Sequence, residues 1–279
     1  MQTFRQIFFA LKKENNPYLS EAVIKEYLCF VGNFKDFTTF FLHMDDQIDF
    51  DYSDEKLNQL RKGKPVQQIT GYQYFYDNKF YVDEYVLIPR QETEDLVRLM
   101  RREIRLKFKS QEIRLLDLCC GSGVIGLSLS NEHTYLTLSD ISRDALKIAG
   151  KNAEGFAAKK TVLVESDLFN NLHERYDVIV CNPPYIENEN NIDEQVRRYE
   201  PMLALLAKPG YIFYERILSV VTRYLNERYI IGFEIEEDME EKLTELINKY
   251  LPNSHYSFYK DICDKTRFVI IESDWYEQV

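Results

Sequence analysis

From residue 113 onward, short apolar runs alternate with amphipathic ones. Arg114–Leu118, Tyr135–Ser139, Thr161–Glu165 and Tyr176–Val180 read as strands, being compact apolar stretches bounded by turn residues. Helices are predicted between and after them, starting at Val124–Ser130 and covering Arg143–Asn152, Ile217–Leu225 and Met239–Tyr250. Three further strands fall at Tyr229–Glu236, near Tyr256–Lys260 and at Arg267–Glu272. Such alternation predicts a mostly parallel sheet with helices on both faces, an α/β domain that binds ligands at the carboxyl ends of its strands.

The first eighty residues follow a different rhythm. Thr3–Lys13, Ser20–Phe30, Lys35–His43 and Ser53–Lys62 carry helical spacing, with Ser20 and Ser53 as N-cap candidates and Gly63 where a C-cap glycine would sit. Two aromatic-rich runs around Asp77-Asn78 then predict a hairpin, followed by Tyr85–Arg90 and an amphipathic helix over Glu92–Lys107. The expected division is a helical substrate-recognition domain over 1–70, a β-hairpin linker over 71–90 and a catalytic domain over 91–279.

Composition narrows the function. The 279 residues carry a net charge of −11, of which residues 1–80 contribute −1 and the remainder −10. A nucleic-acid binder needs a basic stripe for its phosphate contacts, and none stands out. The arginines of the Glu92–Lys107 helix read as a solvated face. Five cysteines without zinc-type spacing predict free thiols in a reducing compartment. Met1–Lys13 lacks a signal-peptide pattern, and no apolar stretch approaches the ~20 residues of a membrane span. A cytoplasmic monomer without a metal or membrane partner is expected.

Candidate chemistry lies at four successive strand ends. Asn182-Pro183-Pro184-Tyr185 follows the fourth strand and suits a planar NH2 group. Proline removes competing donors, the Asn182 side-chain and Pro183 main-chain carbonyls can accept one proton each, and Tyr185 offers a flat face. After the first strand comes Asp117-Leu-Cys119-Cys120-Gly121-Ser122-Gly123, a loop where glycine lets a ligand approach the backbone. Asp140 ends the second strand and can receive both ribose hydroxyls of an adenosine ligand. Asp167 and Leu168, after the third, can meet an adenine amino group and ring. Each also has a local structural explanation: a tight turn for the loop, and a helix cap for Asp140 or Asp167. Together they form one track leading to Asn182, the order of an S-adenosylmethionine-dependent methyltransferase.

On these pieces the chain resembles the HemK-type protein glutamine methyltransferases. The matching segments are Gln68-Ile-Thr-Gly71, Phe75, Val86–Val97, Leu116–Gly123, Ser139–Ser142, Cys181–Ile186, Glu200-Pro201 and Gly232-Phe-Glu234. The likeness runs from about residue 65 to the C-terminus. The block Ile88-Pro89-Arg90-Gln-Glu92-Thr-Glu94 is its most diagnostic part, because Asn-Pro-Pro-Tyr also occurs in adenine-N6 methyltransferases. The resemblance implies a Rossmann-like class I methyltransferase fold with a small N-terminal helical domain, and S-adenosylmethionine as cofactor. It also implies the Gly-Gly-Gln glutamine of class 1 peptide chain release factors as substrate. Asp117, Cys119, Cys120, Gly121, Ser122, Gly123, Asp140, Asp167, Leu168 and Asn182 would hold the cofactor. Arg90, Glu92, Asn182, Pro183 and Tyr185 would bind substrate, with Asn182-Pro183-Pro184-Tyr185 as catalytic turn. Arg90 could instead be an interdomain salt-bridge residue, and Glu92 or Glu94 a helix N-terminal acid. Two departures stand out: Cys119 replaces the family's first loop glycine, and Leu168 stands where an aromatic is frequent. The competing readings are an adenine-N6 methyltransferase on DNA or RNA, a ribosomal-protein glutamine methyltransferase, and a catalytically silent scaffold.

Overall fold

The computed structural model describes residues 1–273. They divide into two compact units, Met1–Tyr72 with Glu194–Tyr199, and Gln73–Asp193 with the described residues from Glu200.

The first unit is helical: α1 (Phe4–Lys13), α2 (Glu21–Val31), α3 (Phe37–Leu42), α4 (Glu55–Arg61) and α5 (Val66–Thr70). A two-residue antiparallel pair, β1 (Gln2–Thr3) with β2 (Gln47–Ile48), closes its end. Thr3 and Gln6 form a reciprocal capping box that starts α1, and Ser20 caps α2 through the Val23 N–H. The α4 cap is Asp54, which accepts from the Leu57 N–H, whereas Ser53 bonds Asp51. Ile7, Leu11, Ile24, Leu28, Phe40 and Leu57 form the dry centre of this unit.

The second unit begins at Gln73, inside the hairpin of β3 (Tyr72–Phe75) and β4 (Asn78–Tyr81). Phe75 and Phe80 bury into the main core, and Asn152 bonds both the N–H and the carbonyl of Tyr81. The expected linker over 71–90 is thus, from Gln73 on, a built-in part of the second unit, because its aromatic face needs that core. Next come α6 (Thr93–Phe108), β5 (Ile113–Leu118), α7 (Val124–Leu129), β6 (Thr134–Asp140), α8 (Arg143–Ala153), β7 (Lys160–Glu165) and β8 (Tyr176–Cys181). The short α9 (Glu194–Tyr199) belongs to the first unit, where Gln195 bonds the Gly63 carbonyl and Tyr199 accepts from Gln68. The chain ends with α10 (Ile212–Val221), β9 (Leu225–Glu234), α11 (Glu240–Tyr250), β10 (Ser254–Lys260) and β11 (Thr266–Ser273). The helix expected over Ile217–Leu225 starts five residues earlier and ends four earlier, because the apolar run continues through a 3-10 turn into β9.

The seven strands are ordered β10-β11-β9-β8-β5-β6-β7. The five from β9 to β7 are parallel, while β11 and β10 add antiparallel. Side-chain alternation divides the core: Leu115, Val178, Val180 and Ile230 face α6, α7 and α8, whereas Leu116, Ile179, Cys181 and Ile231 face α10 and α11. Among the described residues no helix is long and apolar enough to cross a membrane.

Candidate functional site

A single cavity opens at the carboxyl ends of β5, β6, β7 and β8. Its floor is the loop after β5. Cys119 and Gly121 adopt left-handed φ of +58° and +53°, and Gly123 (φ +80°) starts α7. Cysteine therefore occupies a conformation that glycine takes without strain, at a cost of ~1–2 kcal/mol. The positive φ also interrupts strand alternation and packs Cys119 on the Cys181 side of the sheet. The N–H of Gly121 donates to Asp140 Oδ2 at 2.8 Å and that of Ser142 to Oδ1 at 2.8 Å. Asn152 grips the Ser122 carbonyl at 2.9 Å, tying loop to hairpin.

Asp140 lines the cavity between Ile141 and Gly121. Burial pushes its carboxyl above the usual range, against the opposing pull of the Ser142, Gly121 and Ile141 N–H groups. Leu168 also lines the cavity, in a left-handed conformation (φ +49°) with its carbonyl held by Ser166 Oγ. Asp167 is there too, but both its oxygens accept from Arg216 Nη2, at 2.8 and 2.7 Å. Arg216 and Phe213, from α10, are lining residues that the strand-end pattern does not reveal.

Asp117 is placed differently from its expected role. It is fully buried, does not line the cavity, and accepts the Gly126 N–H on Oδ2 at 2.7 Å. Its Oδ1 has no partner. Burial, reinforced by nearby Asp140 and opposed by the Gly126 bond, raises it to about 7. A Cβ at Gly126 would come within 2.7 Å of the Asp117 Cβ, so the pair welds α7 to β5 beneath the loop.

At the end of β8, Asn182 and Pro184 line the cavity, while Pro183 and Tyr185 do not. Tyr185 packs against the core under α10 and α11, where burial raises its phenol well above the ordinary value. Ile186 then pairs with the 205–207 segment through two backbone hydrogen bonds of 2.9 and 3.0 Å. The turn is consequently held from behind, with Asn182 lining the cavity.

The 88–94 block supplies the opposite wall through Pro89, Arg90 and Thr93. Glu200 fixes its shape: Oε2 accepts the Ile88 N–H at 2.9 Å and Oε1 accepts Arg90 Nη2 at 2.7 Å. Arg90 and Glu200 both belong to the second unit, so this ion pair is not interdomain. Glu92 is exposed and outside the cavity, and Glu94 receives the Tyr76 N–H of the hairpin at 3.0 Å. Thr93 Oγ1 donates to Glu234 Oε2 at 2.7 Å. Cys119, Cys120, Gly121, Ser122, Asp140, Asp167, Leu168, Asn182, Pro184 and Arg90 thus converge on one cavity. Gly123 shapes its floor, and Asp117, Pro183, Tyr185 and Glu92 stand back from it.

Residues 96–202 match the methyltransferase small domain. The Bacillus cereus release factor glutamine methyltransferase is 33% identical over 228 residues, covering 79% of this chain and 80% of that one. The Streptococcus pneumoniae enzyme of the same name is 38% identical over 219 residues, 77% of each chain. Among solved structures, the hMettl16 catalytic domain in complex with a 3′UTR hairpin shares the fold at 15% identity. Its TM-score is 0.53, over 71% of this chain and 76% of that one. Identity of this order across most of both chains leaves one assignment: the chain belongs to the release factor glutamine methyltransferase family.

Proposed function

We propose that the protein methylates the side-chain amide nitrogen of a glutamine, the one in the Gly-Gly-Gln motif of a class 1 peptide chain release factor. The observation that carries this reading is the meeting of Asn182 with the cofactor loop on one side and the 88–94 block on the other, in a single cavity. The methyl donor is S-adenosylmethionine, and the residues fit it. Asp140 offers a carboxylate to a ribose, Val124, Ile141 and Leu168 give apolar walls, and the space beyond Gly121 is open, since a Cβ there meets nothing within 4 Å.

When bound, S-adenosylmethionine supplies an electrophilic methyl group. The protein's part is to bind and orient the acceptor. An amide nitrogen is a weak nucleophile because its lone pair is delocalised. Asn182, which lines the cavity where Pro183 does not, accepts one amide proton on Oδ1 and so orients the NH2 group. Orientation of this kind contributes ~7–11 kcal/mol in favourable intramolecular cases. Pro184 and the half-buried Tyr185, packed on the core, keep the turn rigid. Arg90, locked by Glu200, recognises the backbone around the substrate glutamine. Residues 1–70 serve substrate recognition, a role supported by the exposed Phe9, Phe37, Phe41 and Leu42 of the helical unit.

The test offers labelled S-adenosylmethionine with purified release factor, ribosomal protein or oligonucleotide. Label on the Gly-Gly-Gln glutamine is the expected result. Label confined to nucleic acid would sink the reading.

A further inference from the structure

Glu234, the last residue of β9, has no part in the roles above, yet it sits beside the residue on which they depend. The parallel register pairs Cys181 with Phe233, so the next residues, Asn182 and Glu234, leave their strands side by side. Cys181 and Phe233 point to the core under α10 and α11. Alternation turns Glu234 to the other face, where Thr93 at the start of α6 bonds its carboxylate at 2.7 Å. Gly232, two residues earlier on that face, is covered by Met100 and Leu96 of α6. Asn182 stands next to this carboxylate at the neighbouring strand end and, as a hydrogen-bonding neighbour, favours its ionised form. From the far side, Tyr214 OH donates to the Glu234 carbonyl at 2.7 Å and fixes the strand end. Thr93 and Asn182 line the cavity, whereas Glu234 is 5% exposed and lies behind them.

An asparagine side chain has two nearly isosteric ends with opposite hydrogen-bonding character. A carboxylate only accepts, so it can bond Asn182 only through Nδ2–H. We propose that Glu234 is a positioning residue that selects the orientation of the Asn182 amide, turning Nδ2 inward and presenting Oδ1 to the N–H of the acceptor glutamine. Thr93 holds the selector in place. This inference rests on the reading of Asn182 as the substrate grip. It gives the buried glutamate and the threonine of the 88–94 block one shared task.

The selector titrates. Burial raises the Glu234 carboxyl to about 7, and Glu92 from the approach to α6 adds to the rise. Thr93 on α6, Arg267 on β11 and Asn182 at the end of β8 oppose it. Tyr185 and Tyr214 feel the same carboxylate. Once protonated, the carboxyl is a donor and can bond Oδ1, the atom the substrate needs. Turnover therefore rises with pH as Glu234 ionises and falls below that point.

Two measurements on the full chain test this. In the first, kcat and KM for a purified release factor are followed from pH 5.5 to 8.5 in wild type, Glu234→Gln, Thr93→Ser and Thr93→Val. Glu234→Gln should lose roughly 10- to 100-fold in kcat, keep its calorimetric affinity for S-adenosylmethionine, and lose the rise near 7. Thr93→Ser should retain activity that Thr93→Val loses. Wild-type kcat and pH profile in Glu234→Gln would overturn the proposal, as would parallel losses of turnover, cofactor affinity and melting temperature. The second measurement needs no substrate, so it separates this proposal from the functional reading. The 15N-labelled Asn182 side-chain amide, identified by its disappearance in Asn182→Ala, should titrate with a midpoint near 7. A flat wild-type resonance across that range would overturn the selector role even in an active enzyme.

Discussion

The loop after β5 and the turn after β8 end neighbouring parallel strands, yet they are built in opposite ways. The loop is local: Cys119, Gly121 and Gly123 set its path, and its bonds run to Asp140 and Ser139 on the adjoining strand end. The turn depends on side chains distant in sequence, since Thr93, Glu200 and Glu234 all brace its surroundings. Each region also contains one buried carboxyl raised to about 7, Asp117 below the loop and Glu234 behind the turn. Asp117 grips a main-chain N–H and leaves one oxygen unpartnered, whereas Glu234 bonds Thr93, which lines the cavity, and stands next to Asn182. The same electrostatic perturbation thus marks a structural weld in one place and a positioning device in the other. Partners, not pKa, distinguish them.

If the two regions act separately, Asn182→Ala should lower kcat by roughly 10²–10³-fold, the size typical of losing one oriented polar contact to the reacting group. Calorimetric affinity for S-adenosylmethionine should hardly change. Equal losses in both would merge the regions into one.

Asp117→Asn probes the weld through pH. The folded carboxyl keeps its proton up to about 7, against an ordinary value of 3.8. Folding thus gains most below the ordinary value, and that gain is lost as pH climbs to about 7. The asparagine variant has no proton to lose. Its melting temperature relative to wild type should rise between pH 5 and 7, by the equivalent of about 1.4 kcal/mol per pH unit. A pH-independent difference would assign Asp117 an ordinary titration.

Glu200→Ala removes the brace of the 88–94 block and leaves the Ile88 N–H unpartnered. Chemical denaturation should register a loss of about 2 kcal/mol. Glu200→Gln, which still offers a carbonyl to Ile88, should lose less. The smallest expected change is a gain: Cys119→Gly relieves the left-handed cysteine and should stabilise the fold by about 1 kcal/mol or less. A destabilised glycine variant would show that the thiol's packing outweighs the strain.

How much of this was legible in the sequence follows from the same contrast. The central strands are announced by apolar runs such as Tyr176–Cys181, and the loop by its glycines, because both signals are contiguous. Helix Glu194–Tyr199 buries no residue completely and has no apolar stripe to betray it. Val66–Thr70 is too short for periodicity to register. Thr93 and Glu234 lie 141 positions apart, and Ile88 and Glu200 112, so no spacing rule links them. The Asn-Pro-Pro-Tyr turn was visible, but the residues that aim it were not. Asp117 was drawn into the ligand set by its place in the motif, whereas the oxygen count around it reveals a buried strut.

The route of the chain between its two units carries a practical consequence. It leaves the second unit after Asp193, gives six residues to the helical unit, and re-enters at Glu200, the brace of Ile88 and Arg90. The units are therefore stitched, not strung, and cannot be exchanged as separate modules. A truncation beginning at Gln73 would strip Gln195 of Gly63 and Tyr199 of Gln68 and Lys62, just upstream of that brace. A chimera that swaps the N-terminal helices between relatives must also swap residues 194–199.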